Sequence, residues 1–406
     1  MYEHALQGLL KNKWYIGCKG IEVSNKKLSG GQICDIRMVF FRSRQGKVKV
    51  LKDREVKNGY SLLEGSTINS RRGTIQCSYN GWRYDGNGNC ISVPGIEPNH
   101  QGLKNYRIAS FPVCEQDGYV WVWLGDGKPS EQPPEVPFDM SQTIWNQQTQ
   151  VIDSNPILCI QHEMDWASSF FQKDKMKWMN RRLIPGLYKP AQIVHPYHLT
   201  LKSDGFELYH PPIGQKKSVS ALSDMIDSNG KLPRNGCTSE FSASSARVIH
   251  RKWLKYHFWR KFGDYTDIVH FVPLIDPVTR HISTRVEYMW TPWLLPGYSF
   301  QRNQITSLPS WIPWALPRTR KADKRHLQSI DPSQCIHPNP KQGSCELFPE
   351  YIKRLFQPPI TPSCARELVL LMFLYLSQGN STLEGLKEIV GQTSSYGELF
   401  AAHLGD

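Results

Sequence analysis

The sequence has no apolar run long enough to cross a bilayer. Its most hydrophobic stretch, Leu368–Leu376, is about half of the roughly 20 residues a spanning helix needs, so it is expected to be a buried helix packed on a sheet. The first ten residues are too short and mixed to form a basic-plus-apolar leader. Cysteine is present but unpatterned. The 10 Cys form no CxxC pair and no regular spacing, which fits free thiols in a reducing cytoplasm. There is no internal repeat. There is also no helix-turn-helix or zinc-finger pattern to give nucleic acid a docking element.

The composition describes an ordered, basic globular chain. Apolar residues make up 39% and charged residues 21% of 406 positions, enough for two domains of ordinary size and too apolar for long disorder. The net charge is +13. It is spread along the chain, with short clusters at 251–261 and 318–325. That pattern fits a basic surface of no special meaning, an anionic small molecule or an acidic partner better than nucleic acid. Aromatics reach 11%, with 13 Trp, material for a core or for the wall of an apolar pocket.

Residues 1–30 read as an opening segment. Short, turn-bounded runs over 31–130 predict an all-β domain, and the Pro-rich stretch Lys128–Phe138 predicts a linker. Apolar and aromatic positions at Ile157, Ile160, Met164, Ala167, Phe170 and Phe171 predict a helix within 155–180. Strands are expected at 192–201, 205–210, 266–274 and 282–290, a loop or lid over 215–245, and helices over 319–330 and 363–377. Strands flanked by helices after a β module give an α+β chain, divided as 1–130 and 131–406.

Two loops carry a distinctive frame. Residues 53–59 read Asp-Arg-Glu-Val-Lys-Asn-Gly, and 76–82 read Gln-Cys-Ser-Tyr-Asn-Gly-Trp. They are followed by a hairpin pattern at Tyr84-Asp85-Gly86-Asn87-Gly88, by Ile91-Ser92-Val93-Pro94-Gly95, and by an alternating strand over 117–126. Trp14-Tyr15 and Met38–Arg42 complete the frame. Together they resemble the Rieske iron–sulfur domain of Rieske non-haem iron oxygenase alpha subunits. That resemblance implies an N-terminal Rieske-like β domain, then a helix-grip domain in which an antiparallel sheet wraps a long helix. It also implies a head-to-tail homotrimer. Family members carry Cys-x-His in the first loop and Cys-x-x-His in the second. Here the corresponding positions are Glu55, Lys57, Cys77 and Asn80. A cluster of this type needs two thiolates and two imidazoles, and Lys, a cation at neutral pH, offers no lone pair. The degenerate set predicts no iron–sulfur cofactor. Glu55 and Lys57 are expected either to pair with each other or to be solvated.

The resemblance extends to the mononuclear iron motif, Asn/Glu-x-x-Asp-x-x-His-x4-His with a later Asp. Over 162–173 this chain keeps Asp165 but has Ser168 and Lys173 at the two His positions. Asp323 aligns with the later carboxylate. One ligand of a two-His, one-carboxylate triad remains, so no metal is expected there. Lys173 could neutralise Asp323 or, in an apolar pocket, act as a base or amine nucleophile. His162 beside Asp165 could serve as a general base or as a structural histidine. The other histidines, His195, His198, His210, His250, His257 and His270, include no i,i+4 pair that marks a relocated metal site.

These readings give a metal-independent, cofactor-free enzyme on a Rieske-oxygenase scaffold. It would run a cyclisation, isomerisation or condensation on an apolar or anionic small molecule of specialised biosynthesis, with His162, Asp165 and Lys173 as its acid–base groups. The alternative is a non-catalytic pseudo-oxygenase that partners a true oxygenase or carries a ligand.

Overall fold

The computed structural model describes residues 2–10, 12–43, 45–69, 71–97, 100–129, 131–136, 144–164, 198–210, 235–254, 265–274, 278–287 and 362–377. The chain divides into two units: residues 10–138 with 272–278, and residues 1–9, 139–271 and 279–406.

The first unit is built from short antiparallel strands. β1 (Lys13–Lys19) pairs with β10 (Tyr119–Leu124), which pairs with β9 (Val113–Gln116). β2 (Ser29–Ile33), β3 (Ile36–Arg42) and β4 (Val48–Lys52) form a second three-stranded sheet. β5 (Thr67–Asn69), β6 (Thr74–Gln76), β7 (Arg83–Tyr84) and β8 (Cys90–Ser92) form a four-stranded one. Side chains over 117–126 alternate between two faces, and all six residues of β10 are buried, so both faces are covered. Val39, Phe41, Leu51, Leu62, Ile75, Cys77, Trp82 and Tyr84 share a core, which anchors the two motif loops from beneath. The Pro-rich segment is held against β1, where Trp14 Nε1 donates to the Glu131 carbonyl at 2.8 Å.

The second unit is a seven-stranded sheet in the order β11-β17-β16-β15-β14-β13-β12. Its strands are β11 (Ile144–Asp153), β12 (His198–Lys202), β13 (Gly205–His210), β14 (Asn235–Ser242), β15 (Arg247–Leu254), β16 (Tyr265–Pro273) and β17 (Val278–Glu287). From β12 to β16 each strand pairs antiparallel with the next in sequence. Gly205 is required where β13 begins, because a Cβ there would collide with the Phe241 carbonyl of β14. Among the described residues the helices α1 (Tyr2–Leu10), α2 (Pro156–Met164) and α3 (Pro362–Ser377) accompany the sheet. Their apolar residues, among them Ala5, Ile157, Ile160, Val369 and Phe373, share one core with Phe206, Phe241, Val248, Val269 and Phe271 of the sheet. Phe373 meets Phe241 edge-on at 5.6 Å. The combination of antiparallel sheets and few helices is α+β.

One expectation needs correction. The polar stretch expected to be a loop or lid over 215–245 contains β14. Polar sequence hides a strand when only its inward residues need to be apolar. The opening segment also contains α1, whose Ala5 and Leu9 are fully buried. Residues 165–197 and 319–330 lie outside the described residues. Among the described residues no helix is long and apolar enough to cross a membrane.

Candidate functional site

The first motif loop lies between β4 and β5 and closes on itself. Glu55 N–H donates to the Tyr60 carbonyl at 2.7 Å, and Gly59 N–H donates to the Glu55 carbonyl at 3.1 Å. The second loop, between β6 and β7, is built alike: Cys77 N–H donates to the Trp82 carbonyl at 2.8 Å, and Gly81 N–H to the Cys77 carbonyl at 3.0 Å. Gly81 has a φ of +73°, a left-handed conformation that only glycine adopts cheaply. Asn80 Oδ1 accepts from Trp82 N–H at 3.1 Å.

The Glu55 side chain turns inward and is 1% exposed. Its carboxylate accepts from the backbone N–H of Lys57 at 2.9 Å and of Asn58 at 2.7 Å. Tyr84 Oη approaches it at 3.4 Å. Lys57 itself is exposed. The pairing of Glu55 with the Lys57 ammonium is therefore replaced by one with the Lys57 amide. A short loop can aim consecutive N–H groups at one acceptor, whereas a flexible ammonium loses entropy on being fixed there. Burial pushes the carboxyl up. The Asn58 and Lys57 amides, the Asn80 side chain and the Tyr84 hydroxyl outweigh burial and hold it below its ordinary range. Cys77 is buried beneath the loop. The Cys90 thiol is raised by its own burial and further by the Glu55 charge. Above the loops Tyr60 and Tyr79 stack at 3.7 Å, and Tyr79 is 66% exposed.

The second unit gathers polar side chains on the face of its sheet that also carries the apolar core. α2 begins with Asn155 Oδ1 accepting from Ile157 N–H at 2.9 Å, an N-terminal cap. Buried Ile157, Ile160, Gln161 and Met164 fix the inward face of this helix. Gln161 Nε2 donates to the Arg366 carbonyl of α3 at 2.7 Å. Near the helix end Glu163, with its side chain 12% exposed, meets two strand histidines. His250 Nε2 of β15 is 3.3 Å from its Oε1, and His281 Nε2 of β17 is 3.7 Å from its Oε2. Both contacts exceed a well-formed hydrogen bond. Both histidines are buried. On β14, Ser239 Oγ lies 2.9 Å from His250 Nδ1, and Ser239 and His250 are direct cross-strand partners. Asp267 of β16 faces His250 in the register and is also buried. His281 packs edge-on against Phe271 at 5.0 Å. Below Glu163, the Cys159 thiol is pushed up to about 12 by burial, despite hydrogen bonds to Thr279 and Ser154. His270, alternating to the other face beside Arg247, is held well below the usual histidine value, first by burial and then by the charges of Arg247 and His281.

A carboxylate with an imidazole at each oxygen can accept a proton and return one. Among the described residues no three His, Cys, Asp or Glu side chains converge as metal ligands; the two imidazoles approach separate oxygens of Glu163. Of the sequence candidates, His162 is half-buried on α2, roughly 100° around the helix from Glu163. Asp165, Ser168, Lys173 and Asp323 lie outside the described residues. Glu163, His281 and Ser239 escaped the sequence reading. His250 entered it only as one scattered histidine. The available signal was weak: Glu163 lies one turn after Cys159 on the inward side of the helix. The strand spacing that brings His250 and His281 together is not visible before the sheet order is known.

Residues 13–112 match the family model of the Rieske [2Fe-2S] domain. The chain is 27% identical over 167 residues to the 3-chlorobenzoate-3,4-dioxygenase oxygenase subunit of Comamonas testosteroni, covering 40% of this chain and 35% of that protein. It is 33% identical over 117 residues to the oxygenase component of dicamba O-demethylase from Stenotrophomonas maltophilia, covering 29% of this chain and 33% of that protein. The chain thus spans about a third of the length of these relatives. In structure it is similar to apo dicamba monooxygenase, with a TM-score of 0.58 and 18% identity over 91% of this chain and 98% of that one. A terminal oxygenase of carbazole 1,9a-dioxygenase from Novosphingobium sp. KA1 gives a TM-score of 0.59 at 15% identity over 92% of this chain and 95% of that one. This protein therefore opens with a domain that matches the Rieske model and has, along most of its length, the fold of a Rieske oxygenase alpha subunit.

Proposed function

We propose that this protein is a metal-independent acid–base enzyme on a Rieske-oxygenase scaffold. It would catalyse a cyclisation, isomerisation or condensation of an apolar or anionic organic molecule, as a homotrimer. The observation that carries the proposal is Glu163, partly buried at the end of α2 beside the apolar core, with a histidine near each carboxylate oxygen. Such a group removes a proton from a carbon or oxygen acid, while the flanking imidazoles balance the charge that develops. A low-dielectric wall strengthens those interactions. His162, Asp165 and Lys173 remain proposed acid–base groups on the same chain segment, with Ser168, Lys173 and Asp323 at the former iron positions.

The first unit supports the non-redox half of the reading. A [2Fe–2S] centre of this kind is held by two thiolates and two imidazoles. The corresponding positions here supply one thiol at Cys77, the amide of Asn80, an exposed ammonium at Lys57 and a carboxylate at Glu55. That carboxylate is already engaged by two loop N–H groups. These residues do not fit the cluster, and no electron-transfer step is routed through it. A second reading, a non-catalytic partner of a true oxygenase, draws on the closed packing of α2, where Gln161 and Met164 are buried beside α3.

The test has two arms. Protein purified anaerobically from a host competent in iron–sulfur assembly should show no visible charge-transfer band and no stoichiometric acid-labile sulfide. In a producing host, Glu163→Gln should abolish a metabolite that wild type makes, and added ferrous ion should not restore it. A full complement of iron and sulfide, or an unchanged metabolite profile in a folded Glu163→Gln variant, would remove the basis of the reading.

A further inference from the structure

Ser239 belongs to the polar group on the core face of the large sheet, yet the acid–base reading gives it no role. It is fully buried on β14 and directly opposite His250 of β15. Its Oγ lies 2.9 Å from His250 Nδ1, and His250 Nε2 lies 3.3 Å from Glu163 Oε1. Hydroxyl, imidazole and carboxylate thus stand in a row from β14 to α2. The same three groups, in the opposite sense, make a serine nucleophile with its base. Burial argues against that direction. Ser239 is 0% exposed and His250 3%, whereas the Glu163 side chain is 12% exposed. A reacting molecule reaches the carboxylate first.

The row therefore runs from an anchored hydroxyl outward to a working carboxylate. An ionised carboxylate only accepts hydrogen bonds, so the imidazole nitrogen turned toward Glu163 is the one that carries hydrogen. In the neutral ring the other nitrogen is then an acceptor. A serine hydroxyl can rotate to donate to it. We propose that Ser239 is a positioning residue: it donates to His250 Nδ1 and fixes the imidazole as the Nε2–H tautomer, with its proton directed at Glu163. Without that donor, a neutral imidazole is free to place its hydrogen on Nδ1 and to turn a lone pair toward the carboxylate. The 3.3 Å contact between His250 Nε2 and Glu163 Oε1 would then set a lone pair against the carboxylate. The catalytic meaning of this assignment rests on the acid–base reading of Glu163; the tautomer itself does not.

The test reads the tautomer directly. The full chain is labelled with nitrogen-15 in its histidine rings, and long-range proton–nitrogen spectra are recorded at mildly alkaline pH. The His250 signals are those absent from His250→Gln. In wild type, Nε2 should be protonated and Nδ1 should show the shift of an unprotonated nitrogen. In Ser239→Ala the Nδ1 lone-pair shift should be lost or averaged with the other tautomer, and Ser239→Thr should restore it. A protonated Nδ1 in wild type, or an unchanged pattern in Ser239→Ala, overturns the proposal. If the alanine variant does not fold, wild type and Ser239→Thr decide alone: both must show Nε2–H. These results are separable from catalysis, because an unchanged metabolite profile in Glu163→Gln would defeat the acid–base reading and leave the tautomer where the spectra put it.

Discussion

Replacing Glu55 should loosen the first unit, and by an amount the geometry bounds. Its carboxylate is 1% exposed and accepts backbone N–H groups at 2.9 Å and 2.7 Å. Hydrogen bonds to a charged group contribute about 1.5–3 kcal/mol each. Lys57 and Asn58 are exposed, so their N–H groups turn to water once the carboxylate is gone, and the lower part of that range applies. Glu55→Ala should therefore cost about 2–4 kcal/mol, and Glu55→Gln, which keeps one acceptor, about 1–2 kcal/mol. The pH dependence has a definite sign. The folded pKa lies below the ordinary 4.5, so the unfolded chain takes up the proton first as the solution is acidified. The stabilisation is complete above about pH 4.5 and is lost as pH falls through the folded pKa. Two units make a single unfolding free energy ill-defined for the whole chain. Amide hydrogen exchange over residues 53–60 and 76–82, compared with the second unit, is the suitable assay. Wild type and Glu55→Gln should differ near neutrality and converge in acid. Equal protection at pH 7, or a difference that does not change with pH, would refute the keystone role of this carboxylate.

Three further outcomes are expected. Because His270 titrates well below 6.5 in the fold, the unfolded chain binds more protons below about pH 6.5, so stability should fall from there downward; His270→Phe should flatten that dependence in acid unfolding curves of the second unit. Gly8→Ala should destabilise the second unit, since a Cβ there meets the backbone of Phe373; hydrogen exchange along α1 reads the loss. The combined substitution Glu55→Cys, Lys57→His and Asn80→His, with Cys77 retained, restores two thiolates and two imidazoles on loops already closed like ligand loops, and should bring in a visible charge-transfer band after anaerobic reconstitution.

How much of this was legible follows from which residues carry local information. The two loops of the first unit could be read because their shape is written in short-range chemistry: Gly59 and Gly81 at positive φ, Asn80 capping Trp82, and the Asp85–Asn89 turn closed by its own side chain. Those signals survive when ligands are exchanged, so the frame stayed readable with Glu55, Lys57 and Asn80 in it. The role of Glu55 was not readable. Its partners are amides two and three residues ahead, and amides have no letter in a sequence; the only visible partner, Lys57, pointed to an ion pair that is not formed. The second unit shows the same limit at longer range. Glu163, His250 and His281 are separated by scores of residues and meet only because β15 and β17 flank β16 beneath α2. Sheet order is fixed by register and burial over many residues, so a histidine on a strand looks the same in sequence whether it faces a carboxylate or solvent.

The same contrast bears on function. In the first unit a carboxylate occupies a position whose surroundings supply hydrogen-bond donors, and the donors hold it ionised and still. In the second unit a partly exposed carboxylate stands beside two imidazoles, at 3.3 Å and 3.7 Å. A fully satisfied charge is a structural element, because moving its proton would cost every bond at once. A carboxylate that solvent can reach is open to exchanging a proton with something that enters. On that criterion Glu55 is a structural charge, and Glu163 is the group proposed to react.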